Sequence, residues 1–183
     1  MKDNKNEQPI NLKNPILAAF LTWIIPGWGH YYQGRTAKAV LFFLCIVPMF
    51  LVGCFLGSSS KTGIARNVYC SFRSQDLRIF FLPQAFLGTA AVPAGIQAWQ
   101  LKNRQIPILG SFMAPGQIER GDSTGVAPTI RDIQRALPFF ELGTYLIAIA
   151  GLMNLLVIFD ALDGPHILRE KEKPKEKNEE TQA

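Results

Sequence analysis

The stretch Pro26-Gly27-Trp28-Gly29-His30-Tyr31-Tyr32-Gln33-Gly34-Arg35 separates two apolar runs near the N-terminus, and the organisation of the chain follows from it. Proline removes a backbone hydrogen-bond donor and glycine loosens a helix, so the first apolar run must bend or break here. Tryptophan and tyrosine are enriched at membrane–water interfaces, and the arginine can extend into the headgroups. The stretch therefore predicts a turn at a membrane surface.

Charged residues make up 18% of the 183 residues but are almost absent from four apolar blocks. Apolar blocks of this kind predict membrane helices. We expect an all-α, polytopic integral membrane protein with one membrane domain, 14–165. A polar tail, 1–13, precedes it and a charged, disordered tail, 166–183, follows it. The four helical segments are predicted at about 15–32, 37–57, 79–101 and 139–162.

The first segment allows two interpretations. Residues 16–25 alone would reach about 15 Å, half of a hydrocarbon core of ~30 Å. Extended through a kink at Pro26 to Tyr32, the segment would reach about 27 Å and just span. It is either a kinked span or a re-entrant wedge.

Small residues recur at helical spacing in the second and third segments, and such residues let membrane helices approach closely. We expect contacts with membrane lipids, and a protein partner or self-association through these faces. The residues concerned are Gly53, Gly57, Gly88, Ala91 and Gly95.

The third and fourth segments are joined by a long connection, 102–138. Its end, from Thr129 to Leu137, has the pattern of a short amphipathic helix. Thr129 is a suitable N-cap and Asp132 stands at the reciprocal capping position. This pattern predicts an interfacial helix that leads into the last segment.

The distribution of basic residues indicates an orientation. With four spans, the N-terminus, the 58–78 loop and the tail lie on one side and hold 12 of the 19 lysines and arginines. The positive-inside rule then places both termini in the cytoplasm, with the chain in the inner (plasma) membrane. If the first segment is re-entrant, this bias almost disappears.

Three polar residues of the last segment are candidates for a function: Glu141, Asn154 and Asp160. Ionisable groups in membrane segments often mark functional sites. Both acids lie close to the ends of the segment, however, where water can reach them. Asp160 is also near a helix C-terminus, where the helix dipole disfavours an anion, so we expect a cationic partner that the sequence does not name.

Other chemistry has little support. His30 has no second histidine nearby and no cluster with metal-ligand spacing, so neither a metal nor another cofactor is expected. Ser60-Lys61-Thr62 lacks the glycine of a phosphate-binding loop. No nucleophile with a plausible base is present, and no basic stripe with interleaved aromatic residues indicates nucleic acid. We expect a protein that is not an enzyme.

The N-terminal part resembles the two-transmembrane-helix domain family. The resemblance rests on Asn14-Pro15, on the turn Pro26 to Arg35 and on Lys38-Ala39 before an apolar helix. It covers about the first 45 residues and implies two short spans joined by a glycine-rich turn.

Most of the chain resembles an uncharacterised, planctomycete-type bacterial membrane family. The residues that carry this resemblance are Phe140-Glu141-Leu142-Gly143-Thr144-Tyr145, Ala150-Gly151-Leu152, Asn154-Leu155-Leu156, Asp160-Ala161 and Asp163-Gly164-Pro165, with Phe112-Met113-Ala114-Pro115 in the long connection. The resemblance implies a multi-span inner-membrane protein without a known activity. It also marks Glu141, Asn154 and Asp160 as family positions.

The sequence thus predicts a scaffold, assembly factor or accessory subunit that acts through helix packing. The alternative is a small transporter or channel component with a polar path at Glu141, Asn154 and Asp160. A third hypothesis, less favoured, is an intramembrane enzyme that uses His30 with one of these acids.

Overall fold

The computed structural model describes residues 13–103, 106–121 and 125–163, and within these ranges it is mostly helical. The helices are α1 (Pro15–Ile24), α2 (Trp28–Tyr32), α3 (Thr36–Leu56), α4 (Phe81–Ala85), α5 (Val92–Lys102), α6 (Ile130–Ala136) and α7 (Phe140–Asp163), with a 3₁₀ turn at Gly88–Ala90. The strands are β1 (Phe72–Arg73), β2 (Asp76–Leu77), β3 (Gly116–Gln117) and β4 (Val126–Thr129). The antiparallel pair is β1–β2, and β3–β4 is parallel. Apart from Lys13, both predicted tails lie outside the described residues.

An antiparallel pair of long helices, α3 and α7, forms the centre of the fold. The two backbones come close at Gly53, where a side chain would collide with Ile147 and with the carbonyl of Gly143. Both helices are long and apolar enough to cross a membrane, judged by length and composition. Their bounds confirm the second and fourth predicted segments as helices. Only these two helices of the described residues have that length, so four spans are not found.

The first predicted segment is a helical hairpin rather than a kinked continuous helix. Gly27 has a φ of +85°, which glycine adopts without strain, and it starts α2 in the reverse direction. The amide of Gly29 then donates to the hydroxyl of Thr22 at 3.2 Å, whereas seven residues of a continuous helix would separate them by about 10 Å. At the open end, the Lys13 ammonium lies 4.9 Å from the centre of the Tyr32 ring. Of the two interpretations, the kinked continuous helix is not observed, and the hairpin has the chain reversal that a re-entrant wedge requires.

The third predicted segment, 79–101, is not one helix. It consists of α4, the 3₁₀ turn and α5, because the chain reverses at Gly88, where φ is +62°. A side chain at this position would collide with the carbonyl of Trp23 at the end of α1. A glycine is therefore required for both the turn and the close approach of the two backbones.

The open end of this second hairpin lies at the end of the α3–α7 pair where α7 begins. Near the start of the hairpin, Arg78 donates to the hydroxyl of Thr144 at 3.1 Å, and α4 then follows α7 toward Asn154. In α5, the Gln97 amide donates to the carbonyls of Gly110 and Phe112 at 3.1 and 2.9 Å. The two hairpins thus enter the fold from opposite ends of the α3–α7 pair.

Residues 57–80, 106–121 and 125–137, which we name the cap, cover the end of the pair opposite to the α1–α2 hairpin. The guanidinium of Arg66 is buried and donates to the carbonyls of Ser111 and Val126, each at 3.2 Å, which joins three segments of the cap. The predicted helix at 129–137 is confirmed as α6. The hydroxyl of its N-cap, Thr129, accepts from the amide of Asp132 at 3.2 Å.

The close approach within the first hairpin gives a testable prediction. A Cβ at Gly29 would collide with the carbonyl of Ala18 and the hydroxyl of Thr22, so Gly29→Ala should destabilise the purified protein by about 1–3 kcal/mol. Gly95→Ala is the matched control, because its Cβ would meet nothing within 4 Å. It should be neutral or stabilising by up to about 1 kcal/mol. Thermal unfolding in detergent compares them, and equal midpoints would contradict the hairpin.

Candidate functional site

Four side chains meet where the α1–α2 hairpin and the start of α3 contact the end of α7. We name His30, Arg35, Lys38 and Asp160 the hinge cluster. The Asp160 carboxylate lies 2.6 Å from Nε2 of His30, 2.9 Å from Nη2 of Arg35 and 3.2 Å from Nζ of Lys38. The cationic partner that the position of Asp160 requires is thus supplied by residues more than 120 positions earlier in the chain.

The turn sequence places each member of this cluster. Gln33, directly after α2, donates its amide to the carbonyl of Ala161 at 2.8 Å, which fixes the hairpin beside the last turn of α7. Arg35 is the N-cap of α3 and Lys38 lies in its first turn, so both point back to Asp160. Because Lys38 and Asp160 are partly exposed to solvent, that ion pair is screened, whereas the Arg35 side chain is only 8% exposed.

His30 is the fully buried member of this cluster. Its ring stands edge-on to Phe42, with the centroids 5.0 Å apart. Nδ1 has no hydrogen-bond partner among the described residues. No group of three histidine, cysteine or acidic residues in the described ranges could hold a metal ion. The geometry makes His30 a hydrogen-bond partner of Asp160.

Asn154 occupies a different place, where the tips of the two hairpins meet against α7. Its side-chain amide donates to the carbonyl of Phe86, just after α4, at 2.8 Å, and to the carbonyl of Thr22 in the last turn of α1 at 3.3 Å. Nearby, the hydroxyl of Thr89 donates to the carbonyl of Ile24 at 2.7 Å. Helix ends leave carbonyls without intrahelical partners, and these polar side chains satisfy them.

Glu141 is apart from both groups. It is exposed near the start of α7 and accepts a hydrogen bond from the Gln134 amide at 3.1 Å. Along α7 it lies about 20 Å from Asn154, at 1.5 Å per residue. The structure therefore brings Asp160 together with the turn residues and Asn154 together with the hairpin tips, but it does not bring the three polar residues of α7 together.

The predicted small-residue faces are mostly occupied within the chain. A side chain at Gly53 would meet α7, one at Gly57 would collide with Asn67, and one at Gly88 would collide with the end of α1. Ala91 is buried. Gly95 alone of this set faces open space. Partner binding through such faces stays a prediction.

The cap contains buried polar residues that the sequence did not single out. Asn67 donates its amide to the carbonyl of Gly53 at 2.8 Å, and Gly57 and Gly143 leave room for it. Burial lowers the pKa of Arg66 to about 10, so the guanidinium remains charged at neutral pH. Burial also raises the pKa of Tyr69 to about 12, and the Tyr69 hydroxyl donates to Asp76 at 3.1 Å.

Cys70 also belongs to the cap and lines a pocket of about 240 Å³ together with Arg73 and Lys102. Its side chain is buried, and desolvation raises the pKa of the thiol to about 11. Because the thiolate is the reactive form, Cys70 should react slowly with thiol reagents at neutral pH.

The fold and these sites define a helical protein with two long apolar helices and two short helical hairpins, which enter from opposite ends of the long pair. Residues 17–174 match a family of unknown function, DUF6677. The chain belongs to this family, which confirms the expectation of an uncharacterised family. No curated protein and no solved structure matches the chain.

The hinge cluster makes a prediction about stability. Asp160→Asn removes the anion shared by Arg35, Lys38 and His30, and leaves the largely buried Arg35 without its counterion. We expect a loss of about 1–3 kcal/mol in the free energy of unfolding, reduced from the fully buried case by the partial exposure of Asp160. Glu141→Gln, a charge removal at an exposed position near the start of the same helix, should change the free energy of unfolding by less than about 0.5 kcal/mol. Denaturant unfolding measures both, and equal effects would contradict the role of the cluster.

Proposed function

We propose that this chain is an integral membrane protein whose helices α3 and α7 cross the bilayer. We further propose that it works, without catalysis, as a scaffold, assembly factor or accessory subunit. The observation that carries the proposal is the apolar surface of α3. Large side chains on several sides of this helix are exposed: Val40, Leu41, Phe43, Leu44, Leu51, Val52 and Phe55.

The core helix of a soluble protein would bury such side chains against its neighbours. Only 17% of the most apolar window of α3 is buried within the fold, against 44% for α7. Exposed apolar surface of this extent requires a cover, and lipid is the cover that suits a 21-residue helix. The two hairpins, in which short helices are interrupted by turns, are compatible with a membrane, because irregular backbone at membrane depth is tolerated where it is buried in protein.

The scaffold role is supported by how the polar residues are used. Asp160 is paired with cations of the same chain, and the Asn154 amide is bonded to two carbonyls. These side chains hold the fold together, and the large exposed side chains of α3 are apolar. Contact with partner helices and lipids is the activity that this surface favours.

The orientation with both termini on the cytoplasmic side of the bacterial inner membrane stays a proposal that labelling must decide, because the bias in basic residues almost disappears once the first segment is a hairpin. Because α1 and α2 form a hairpin, Lys13 and Asp163 lie at one end of the α3–α7 pair, and the cap lies at the other. The cap, including the 58–78 loop, is then exposed on the opposite side of the membrane.

Thiol labelling tests this arrangement. In a background with alanine at Cys45, Cys54 and Cys70, we would introduce Ser60→Cys in the cap and Thr36→Cys next to Arg35 of the hinge cluster, both at exposed positions. An impermeant maleimide added to intact cells should label Ser60→Cys, and Thr36→Cys only after permeabilisation. Labelling of both positions to the same extent in intact cells would contradict two spans, and the reverse pattern would contradict the orientation.

Photo-crosslinking tests the scaffold role. A benzoylphenylalanine at the exposed positions Leu44 or Leu51 of α3 should give a discrete adduct with one protein in native membranes. The same residue at Ile46, which is fully buried, should give none and serves as the control. Adducts with lipid alone at every exposed position would contradict binding of a partner through α3.

A small transporter or channel component is the second candidate, and one observation favours it. The ends of α1 and α4 meet part-way along α7, and transporters often place binding sites where discontinuous helices meet. Ion or solute flux through proteoliposomes that contain the full chain, without any protein adduct on α3, would favour this candidate over a scaffold.

A further inference from the structure

Two buried side-chain amides at the crossing of α4 and α7 have hydrogen-bonding groups without partners. Gln84 is fully buried, and neither Nε2 nor Oε1 has a partner among the described residues. Asn154 is also fully buried, and its Oδ1 lacks a partner although its amide nitrogen is bonded. Buried polar groups are costly when unpaired, and such groups in native proteins usually hold a water molecule or a ligand.

Both amides belong to one contact. The backbone of α4 touches α7 at Gly151, where a side chain would collide with the carbonyl of Pro83 and would lie 3.4 Å from the Cα of Gln84. One turn further along α7, Asn154 bonds the carbonyl of Phe86. Gln84 and Asn154 therefore lie within one helical turn of each other along this contact.

The charges around the crossing decide the class of ligand. The sequence contains no charged residue between Pro15 and Gln33 or between Ile79 and Leu101, so neither hairpin tip brings a countercharge. Asp160 is six residues further along α7, about 9 Å, and is already paired with Arg35 and Lys38. A buried ion would lack compensation here, which favours a neutral ligand.

We propose that the α4–α7 crossing binds a small neutral hydrogen-bonding molecule, water or a solute of similar chemistry, through Gln84 and Asn154. The free groups are two acceptor oxygens and one amide donor. A molecule with both donors and acceptors, such as water or a small alcohol or amide, can bond to all three. This site goes beyond a scaffold role, which does not require it.

Solid-state NMR of the isotope-labelled full chain in liposomes tests the proposal, with Gln84→Leu used to assign the side-chain signal. The first arm uses buffer without small neutral solutes and measures magnetisation transfer from water. If water is the ligand, the Gln84 side-chain amide should receive transfer several-fold faster than the backbone amide of Ile46. Ile46 is fully buried within α3 and has no polar group in its side chain.

The second arm adds ¹³C-labelled glycerol or urea and measures transfer from the solute to the Gln84 amide. Transfer from either source supports the site and identifies which one fills it. Transfer to the Gln84 side chain as slow as to the backbone amide of Ile46 in both arms would overturn the proposal. The thermal midpoint of Gln84→Leu gives an independent check. A filled site predicts a midpoint lowered by a few degrees, whereas a raised midpoint would mean a dry crossing and would also overturn the proposal.

Discussion

The rest of the structure depends on the hydrogen bonds that the side-chain amide of Asn154 donates. It bonds the carbonyls of Thr22 and Phe86, at the ends of two helices that approach from opposite sides. A helix that stops inside an apolar environment leaves carbonyls whose loss of hydrogen bonds costs several kcal/mol. The Asn154 amide and the Thr89 hydroxyl bond these carbonyls, so both α1 and α4 can end, and the chain can reverse after each, at the same level of α7.

The hinge cluster holds the open end of the first hairpin as Asn154 holds its tip. Gln33 and Arg35 bond the last turn of α7 while the Lys13 ammonium lies over the Tyr32 ring. The hairpin is therefore fixed at both ends to the same helix, and Gly29 lets its two arms approach closely. This explains why the glycines, the histidine and the arginine of one ten-residue stretch are all used in the fold.

Sequence reasoning located the long helices α3 and α7, the helix α6 with its Thr129 cap, and the need of Asp160 for a cation. Hydropathy did not predict the second hairpin, and it left a re-entrant first segment as one of two interpretations, because it measures the apolar length of a segment and not the direction of the chain within it. The reversals lie at Gly27 and Gly88, which have positive φ values and at which a Cβ would collide with the backbones of Ala39 and Trp23. Gln84 and Thr22, polar residues within apolar runs, were the available signal.

The same contacts limit what the polar residues can do for other molecules. A polar path along α7 would need Glu141, Asn154 and Asp160 on one continuous surface. One of them is exposed beside Gln134, one is buried between hairpin tips, and one is neutralised by Arg35 and Lys38. Because the large exposed side chains of α3 are apolar, association through this helix needs no rearrangement of the fold. Transport would need the hairpin tips to separate, and therefore the loss of the two Asn154 bonds that hold them.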